Sequence, residues 1–328
     1  MNHFVYVRDL VGVRTNAESF RWSFGSAAPA VSEEQFSRCR IKIDLRIVKD
    51  RDVPLPPPLT AGEGNFRFFH GYRNAGTLAY HRKLFGLPLS YTVSVRGNVI
   101  RATVGKTYFR LIRLKVMNLH PIWYVLFDLT TALLLKNGYL PVYASSFAHD
   151  ERGALVMAPP NTGKTLTAIR LSENPRVRLL GEDIAVTDGE RIYAVPWTDT
   201  YRSYGAAADT GRHPAFSETS APLDRLFLLE RGSGGLRDAS SDCEKRIALL
   251  NRYGIGWSFS PAVTALGYFN DDVSPESLRE QETAILRAMT GRAEILTVAA
   301  EDAAQFATLI LSRLEPKEHD INCPAALI

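Results

Sequence analysis

The chain has 328 residues, 45% of them apolar and 23% charged, which excludes a disordered tail and leaves room for about two domains of roughly 150 residues each. The formal net charge of +4 is uneven: residues 1–118 hold 19 Lys/Arg against 8 Asp/Glu, and the remainder holds 20 against 27. Such asymmetry points to two units with different jobs; the basic one can hold an acidic partner, or its charge can complement the second unit.

Residues 1–52 mix short apolar alternations with charges. In "CRIKIDLRIVKD" Ile41, Ile43, Leu45 and Ile47 share one face, with Lys42, Asp44 and Arg46 on the other, so a half-buried strand is predicted. Pro/Gly-rich Val53–Asn65 reads as a loop. "FRFFHGYR" and "LSYTVSVRGNVIRATVG" are aromatic and β-branched, and Arg96-Gly97-Asn98 signals a hairpin. The first unit, residues 1–118, is therefore β-rich.

The pattern changes after residue 118. "IWYVLFDLTTALLL" (Ile122–Leu135) contains Asp128 and falls short of the ~20 residues a bilayer span needs. It reads as a buried core helix near 121–136, with Pro121 at its start and Gly138 past its end. Two strands follow, turning at His149–Arg152, and His149 is expected to be a surface histidine there. A loop, a helix near 163–173 and two strands turning at Asp188-Gly189 come next. Leu223–Gly232 reads as a strand, 238–252, 274–291 and 300–314 as helices, and Ala293–Ala299 as a final strand. Alternating strands and helices predict an α/β unit over 119–328.

Cys39, Cys243 and Cys323 are far apart and form no C-x-x-C, so neither a zinc site nor a disulfide framework is signalled, and a reducing compartment is expected. The opening residues lack an apolar stretch before a small-residue cleavage site. The expectation is a cytoplasmic protein with neither a membrane nor nucleic acid as partner.

"GALVMAPPNTGKTLTAIRL" (Gly153–Leu171) carries the chemistry. A phosphate loop needs backbone N–H groups converging ahead of a helix N-terminus, with a lysine at the rim. Here Leu155-Val156-Met157 is the strand, and Ala158, Pro159, Pro160, Asn161, Thr162, Gly163, Lys164 and Thr165 form the loop. Gly163 lets phosphate approach the backbone, Lys164 would reach the β- and γ-phosphates of ATP, and Thr165 would ligate Mg²⁺. Ala158 replaces the usual first glycine, at little cost if the chain there is still strand-like. Glu182-Asp183 ends the next strand, where ligands gather in α/β sheets. If the strand runs through them only one acid enters the site; if it breaks at Gly181 both can.

The order "LPVYASSF…GALVMAPPNTGKT…RLLGEDIAV…YAVPW…APLDRLFLLERG" resembles the HPr serine kinase/phosphorylase catalytic domain, and more closely the bacterial HPr kinase-related proteins. The resemblance covers about 138–232, less fully to 315, and not 1–118. It implies a P-loop kinase domain of the HPr kinase type behind the β-rich N-terminal domain. It also implies transfer of the ATP γ-phosphoryl group to a serine of a peptide or protein, with Mg²⁺, in a setting such as ribosomal-peptide biosynthesis. Glu182-Asp183 matches the family's acidic pair, with Glu in place of the first Asp. Either acid would deprotonate the acceptor while the other holds Mg²⁺. Tyr143 stands where the family typically places a histidine, which puts its phosphorylase reaction in doubt. A cation to steady transition-state charge is expected, with Arg202 the first candidate and Arg212 the second. A homo-oligomer is an arrangement the resemblance allows. An ATP-binding scaffold without phosphotransfer and a small-molecule kinase are the competing readings.

Overall fold

The computed structural model describes residues 1–20, 28–55, 65–66, 69–72, 77–113, 122–196, 220–239, 241–260, 262–264 and 273–315. Alternating apolar residues build the first sheet. Its strands are β1 (Asn2–Val7), β2 (Val11–Thr15), β3 (Ile41–Val48), β4 (Asn65–Phe66), β5 (Phe69–Tyr72), β6 (Thr77–Leu84), β7 (Leu87–Arg96) and β8 (Val99–Gly105). They lie in the order β1-β2-β3-β8-β7-β6-β5-β4, with β2, β3 and β8 mutually parallel and the other pairings antiparallel.

In β3, Ile41, Ile43 and Leu45 are buried as their spacing predicts. The opposite face is also covered at Asp44, whose carboxylate lies 2.6 Å from Arg14 Nη2, its cross-strand neighbour on β2. Within 1–52 a short helix, α1 (Glu33–Arg38), interrupts the strands. Ser32 and Gln35 close it with a reciprocal capping box.

Two further helices follow, α2 (Lys106–Arg113) and α3 (Ile122–Lys136). α3 is buried nearly all round, so it is a core helix rather than an amphipathic surface one. It packs against β3 and β8 of the first sheet and against later elements on its other side. The side-chain amides of Asn98, in the β7–β8 turn, and Asn137, just after α3, bond each other reciprocally at 3.1 Å. One continuous apolar cluster therefore runs from the first sheet through α3 into the second half of the chain.

The second sheet comprises β9 (Leu140–Val142), β10 (Ser145–His149), β11 (Arg152–Met157), β12 (Val177–Gly181), β13 (Ala185–Thr187), β14 (Arg191–Tyr193), β15 (Ser220–Arg231), β16 (Gly235–Asp238) and β17 (Glu294–Ala300). Its path is β12-β10-β11-β15-β14-β13-β9, and β17 pairs with both β15 and β16. β15 joins two parts of the sheet. Its first residues pair with β14, and from Arg225 onward it lies parallel to β11 and β17.

The helices here are α4 (Lys164–Ser172), α5 (Cys243–Ile255), α6 (Pro275–Arg292) and α7 (Ala303–Leu314). Side chains alternate across the sheet. Val156, Phe227 and Leu229 join a second cluster with Ala168 and Leu171 of α4 and Phe306 and Ile310 of α7. Leu155, Met157, Leu226 and Leu228 join the first cluster. Strands covered on both faces read as continuous apolar runs, as "GALVMA" does. The chain is thus α/β with mixed sheets. Among the described residues no helix is long and apolar enough to cross a membrane.

His149 departs from the surface position expected of it. It ends β10 with its ring buried, and that burial lowers its pKa. The charged turn beyond it is solvated, but its own pairing with Arg152 and Val177 places it in the sheet.

Candidate active site

Strand direction brings the site together. β10 is antiparallel to both β11 and β12, so those two point the same way, and β15 runs parallel to β11. The carboxyl ends of β11, β12 and β15 therefore share one edge with the amino end of β10. Tyr143, Ser145, the loop at 158–163, Glu182-Asp183 and Arg231 all lie there. His149, at the far end of β10, does not.

The loop leaves β11 and enters α4 through Gly163, the N-cap, at φ +115°, a conformation open to glycine without strain. Asn161 stands at φ +62°, the left-handed region that asparagine tolerates better than most side chains. Pro159 and Pro160 contribute no N–H. The Thr162 amide bonds the Pro159 carbonyl at 3.4 Å. Among the described residues, the amides of Asn161, Gly163, Lys164 and Thr165 bond no acceptor of the fold. They sit at the positive end of α4, an arrangement suited to an anion. Ala158 is fully buried in the second cluster and takes no positive φ, so its methyl fills core space at a position that does not demand glycine.

β12 ends at Gly181 because the chain doubles back there. A Cβ on Gly181 would strike the Ile184 carbonyl and lie 2.8 Å from Val195 Cγ2. The strand does not run through the acids, and both turn to the loop. Thr165 Oγ1 donates to Glu182 Oε1 at 2.6 Å. Lys164 Nζ donates to Asp183 Oδ1 at 2.7 Å and to the Asp183 carbonyl at 3.2 Å. Glu182 is 2% exposed, and its carbonyl accepts from the buried Ser145 hydroxyl. The Asp183 side chain keeps 23% exposure.

Lys164 Nζ also lies 3.6 Å from the centroid of the Tyr143 ring, within cation–π range. Burial lowers the Lys164 pKa, and the Asp183 carboxylate opposes that shift. Burial, reinforced by Asp183, pushes the Tyr143 phenol up to about 12, so it stays protonated at neutral pH. The Tyr143 amide donates to Asn251 Oδ1 at 3.0 Å, tying it to α5.

Two contributors escaped the sequence reading. Arg231, exposed at the end of β15, donates to the Asn161 carbonyl at 3.1 Å and so braces the loop. Its only signal was its place at a strand's carboxyl end before Gly232. Tyr6 of β1 is buried, and its phenol is pushed up first by burial and then by the charge of Asp183. No short motif in "NHFVYV" marks that approach. Arg202 and Arg212, the expected cations, lie outside the described residues.

The donors fit Mg²⁺. They are hard oxygen ligands, the Thr165 hydroxyl and the Glu182 and Asp183 carboxylates, beside free amides for phosphate. Among the described residues no three His, Cys, Asp or Glu side chains form a self-sufficient metal cage. Mg²⁺ is ordinarily held by one or two carboxylates together with substrate phosphates.

Comparison with protein-family models and with curated proteins finds no match to this chain.

Proposed function

We propose that this chain is an ATP-dependent phosphotransferase of the HPr kinase type, moving the γ-phosphoryl group to a hydroxyl, a serine of a peptide or protein. One observation carries the reading: loop amides that bond no acceptor among the described residues face a lysine, a threonine and two carboxylates at one sheet edge. The β-rich first unit would serve the acceptor, and the cytoplasm would be the place of action.

In this reading the amides of Asn161, Gly163, Lys164 and Thr165 bind the phosphates, and Arg231 keeps the loop in shape. Lys164 exchanges its carboxylate partner for the β- and γ-phosphates. That exchange frees Asp183, the more open of the two acids, to take the proton of the acceptor hydroxyl. The acceptor oxygen then bonds to the γ-phosphorus, the bond from that phosphorus to the β–γ bridging oxygen breaks, and ADP leaves with the electron pair. Glu182 and Thr165 would hold Mg²⁺, which neutralises phosphate charge when bound. Glu182 suits that role because it is buried and already bonded to Thr165.

ATP turnover by the purified chain and by Lys164→Ala and Asp183→Asn tests the proposal. A kinase turns ATP over and loses about a hundredfold or more of that rate in Asp183→Asn. ATP binding with no turnover by the wild-type chain, with acceptor peptides supplied, would make it a nucleotide-binding scaffold instead.

A further inference from the structure

The β6–β7 hairpin ends in a turn that works against its own sequence. Phe85 and Gly86 both take positive φ, +48° and +79°. That pair defines a two-residue type I′ turn, which favours Asn-Gly. A bulky aromatic at the first position is strained, and the strain is not repaid by packing, because Phe85 is 90% exposed. Leu87 beside it is 49% exposed and Leu84 is partly so. Behind this apolar tip His81, Arg82 and Lys83 are all exposed. The segment that carries the hairpin is basic: from Gly64 to Phe127 the chain contains ten Lys/Arg and no Asp or Glu, and the acid placed near it from outside that run, Asp50, is engaged by Thr107. Lys106 and Arg110 follow the tip-ward end of β8 and face solvent, whereas Arg96 lies at the far end of β7.

We propose that this hairpin tip docks the protein on an anionic phospholipid surface. Phe85 and Leu87 enter the boundary between headgroups and acyl chains, and Arg82 and Lys83 meet the headgroup phosphates. Apolar insertion backed by cations is how peripheral proteins hold an interface without spanning it. The shape favours lipid over an acidic protein. A convex turn two residues wide offers far less than the roughly 800 Å² per partner of a stable protein interface, whereas a bilayer needs only the tip. The expectation of no membrane partner rested on the lack of a spanning segment, which surface docking does not require. The inference stands apart from the nucleotide site.

Co-sedimentation of the full chain with phosphatidylglycerol–phosphatidylcholine vesicles and with pure phosphatidylcholine vesicles tests it. The wild-type chain should bind the anionic vesicles, bind the neutral ones weakly, and release as salt rises. Phe85→Asp should weaken anionic-vesicle binding about tenfold, and Arg82→Glu should weaken it while flattening the salt dependence. Phe85→Asn separates docking from folding. Asparagine suits the turn, so the melting temperature should hold or rise and ATP turnover should match wild type, while vesicle binding falls. Failure to bind anionic vesicles, or undiminished binding by Phe85→Asn, overturns the proposal. An acidic protein would then be the remaining occupant.

Discussion

The Lys164 ammonium sits over the Tyr143 ring, 3.6 Å from its centroid, with Asp183 Oδ1 at 2.7 Å. The Lys164 cation is thus held by a π face and a carboxylate at once. A cation–π contact with a partly desolvated ring is worth about 0.5–2 kcal/mol. Tyr143→Phe keeps the face and should hold ATP affinity within about twofold. Tyr143→Leu should weaken it about three- to thirtyfold. Titration calorimetry of both variants checks this. Equal losses would place the effect in the hydroxyl, not the ring.

Gly254 of α5 makes room for that ring. A Cβ there would fall inside the space of the Tyr143 side chain. Gly254→Ala must displace either Tyr143 or α5, and overpacking of this kind costs typically 1–3 kcal/mol. Thermal unfolding should show the loss, accompanied by weaker ATP binding. Unchanged stability and affinity would mean that the helix yields freely.

Arg231 bonds the Asn161 carbonyl from an exposed position, so its removal should affect function more than folding. Arg231→Ala is expected to change stability by less than about 0.5 kcal/mol. It should raise KM for ATP severalfold, because the loop loses its brace. A large drop in melting temperature would assign Arg231 to the fold.

Asp128 gives the fold a pH dependence. It lies on α3, and burial pushes its carboxyl up to about 7 from 3.8. Between those values the folded chain keeps a proton that the unfolded chain has lost. The stabilising difference is fully present below about pH 4, shrinks as pH rises, and is gone above about pH 7. The swing is of order 2–4 kcal/mol. Asp128→Asn should flatten the slope and be the more stable form at pH 8, as melting temperatures at pH 5 and pH 8 would reveal. Parallel curves for the two proteins would contradict this.

Local patterns carried much of the fold. The run "GALVMA" and the Gly-Lys-Thr after it marked β11, its loop and α4, because a strand exit, a helix start and a left-handed glycine all leave local traces. The helix expected over 274–291 is α6, which begins at Pro275 after Ser274 accepts from the Ser277 amide. What stayed hidden depends on partners distant in sequence. Nothing near His149 says that β12 will cover it, and nothing near Asp44 says that Arg14 will lie opposite. The apolar run of α3 announced burial without saying that one of its faces would meet the first sheet. Whether Glu182, Asp183 or both would face the loop turned on Gly181, whose missing side chain lets Ile184 and Val195 approach. That constraint exists only once the chain has folded back.

On the proposed function, the loop ahead of α4 holds a triphosphate together with Lys164. Titration calorimetry with Mg·ATP measures it most directly, on the wild-type chain and on Lys164→Ala with its fold verified by circular dichroism. Saturable binding near micromolar strength is expected of the wild-type chain, and binding about ten- to a hundredfold weaker of the folded variant. No heat of binding in the wild-type chain, or identical affinity in both, would contradict it.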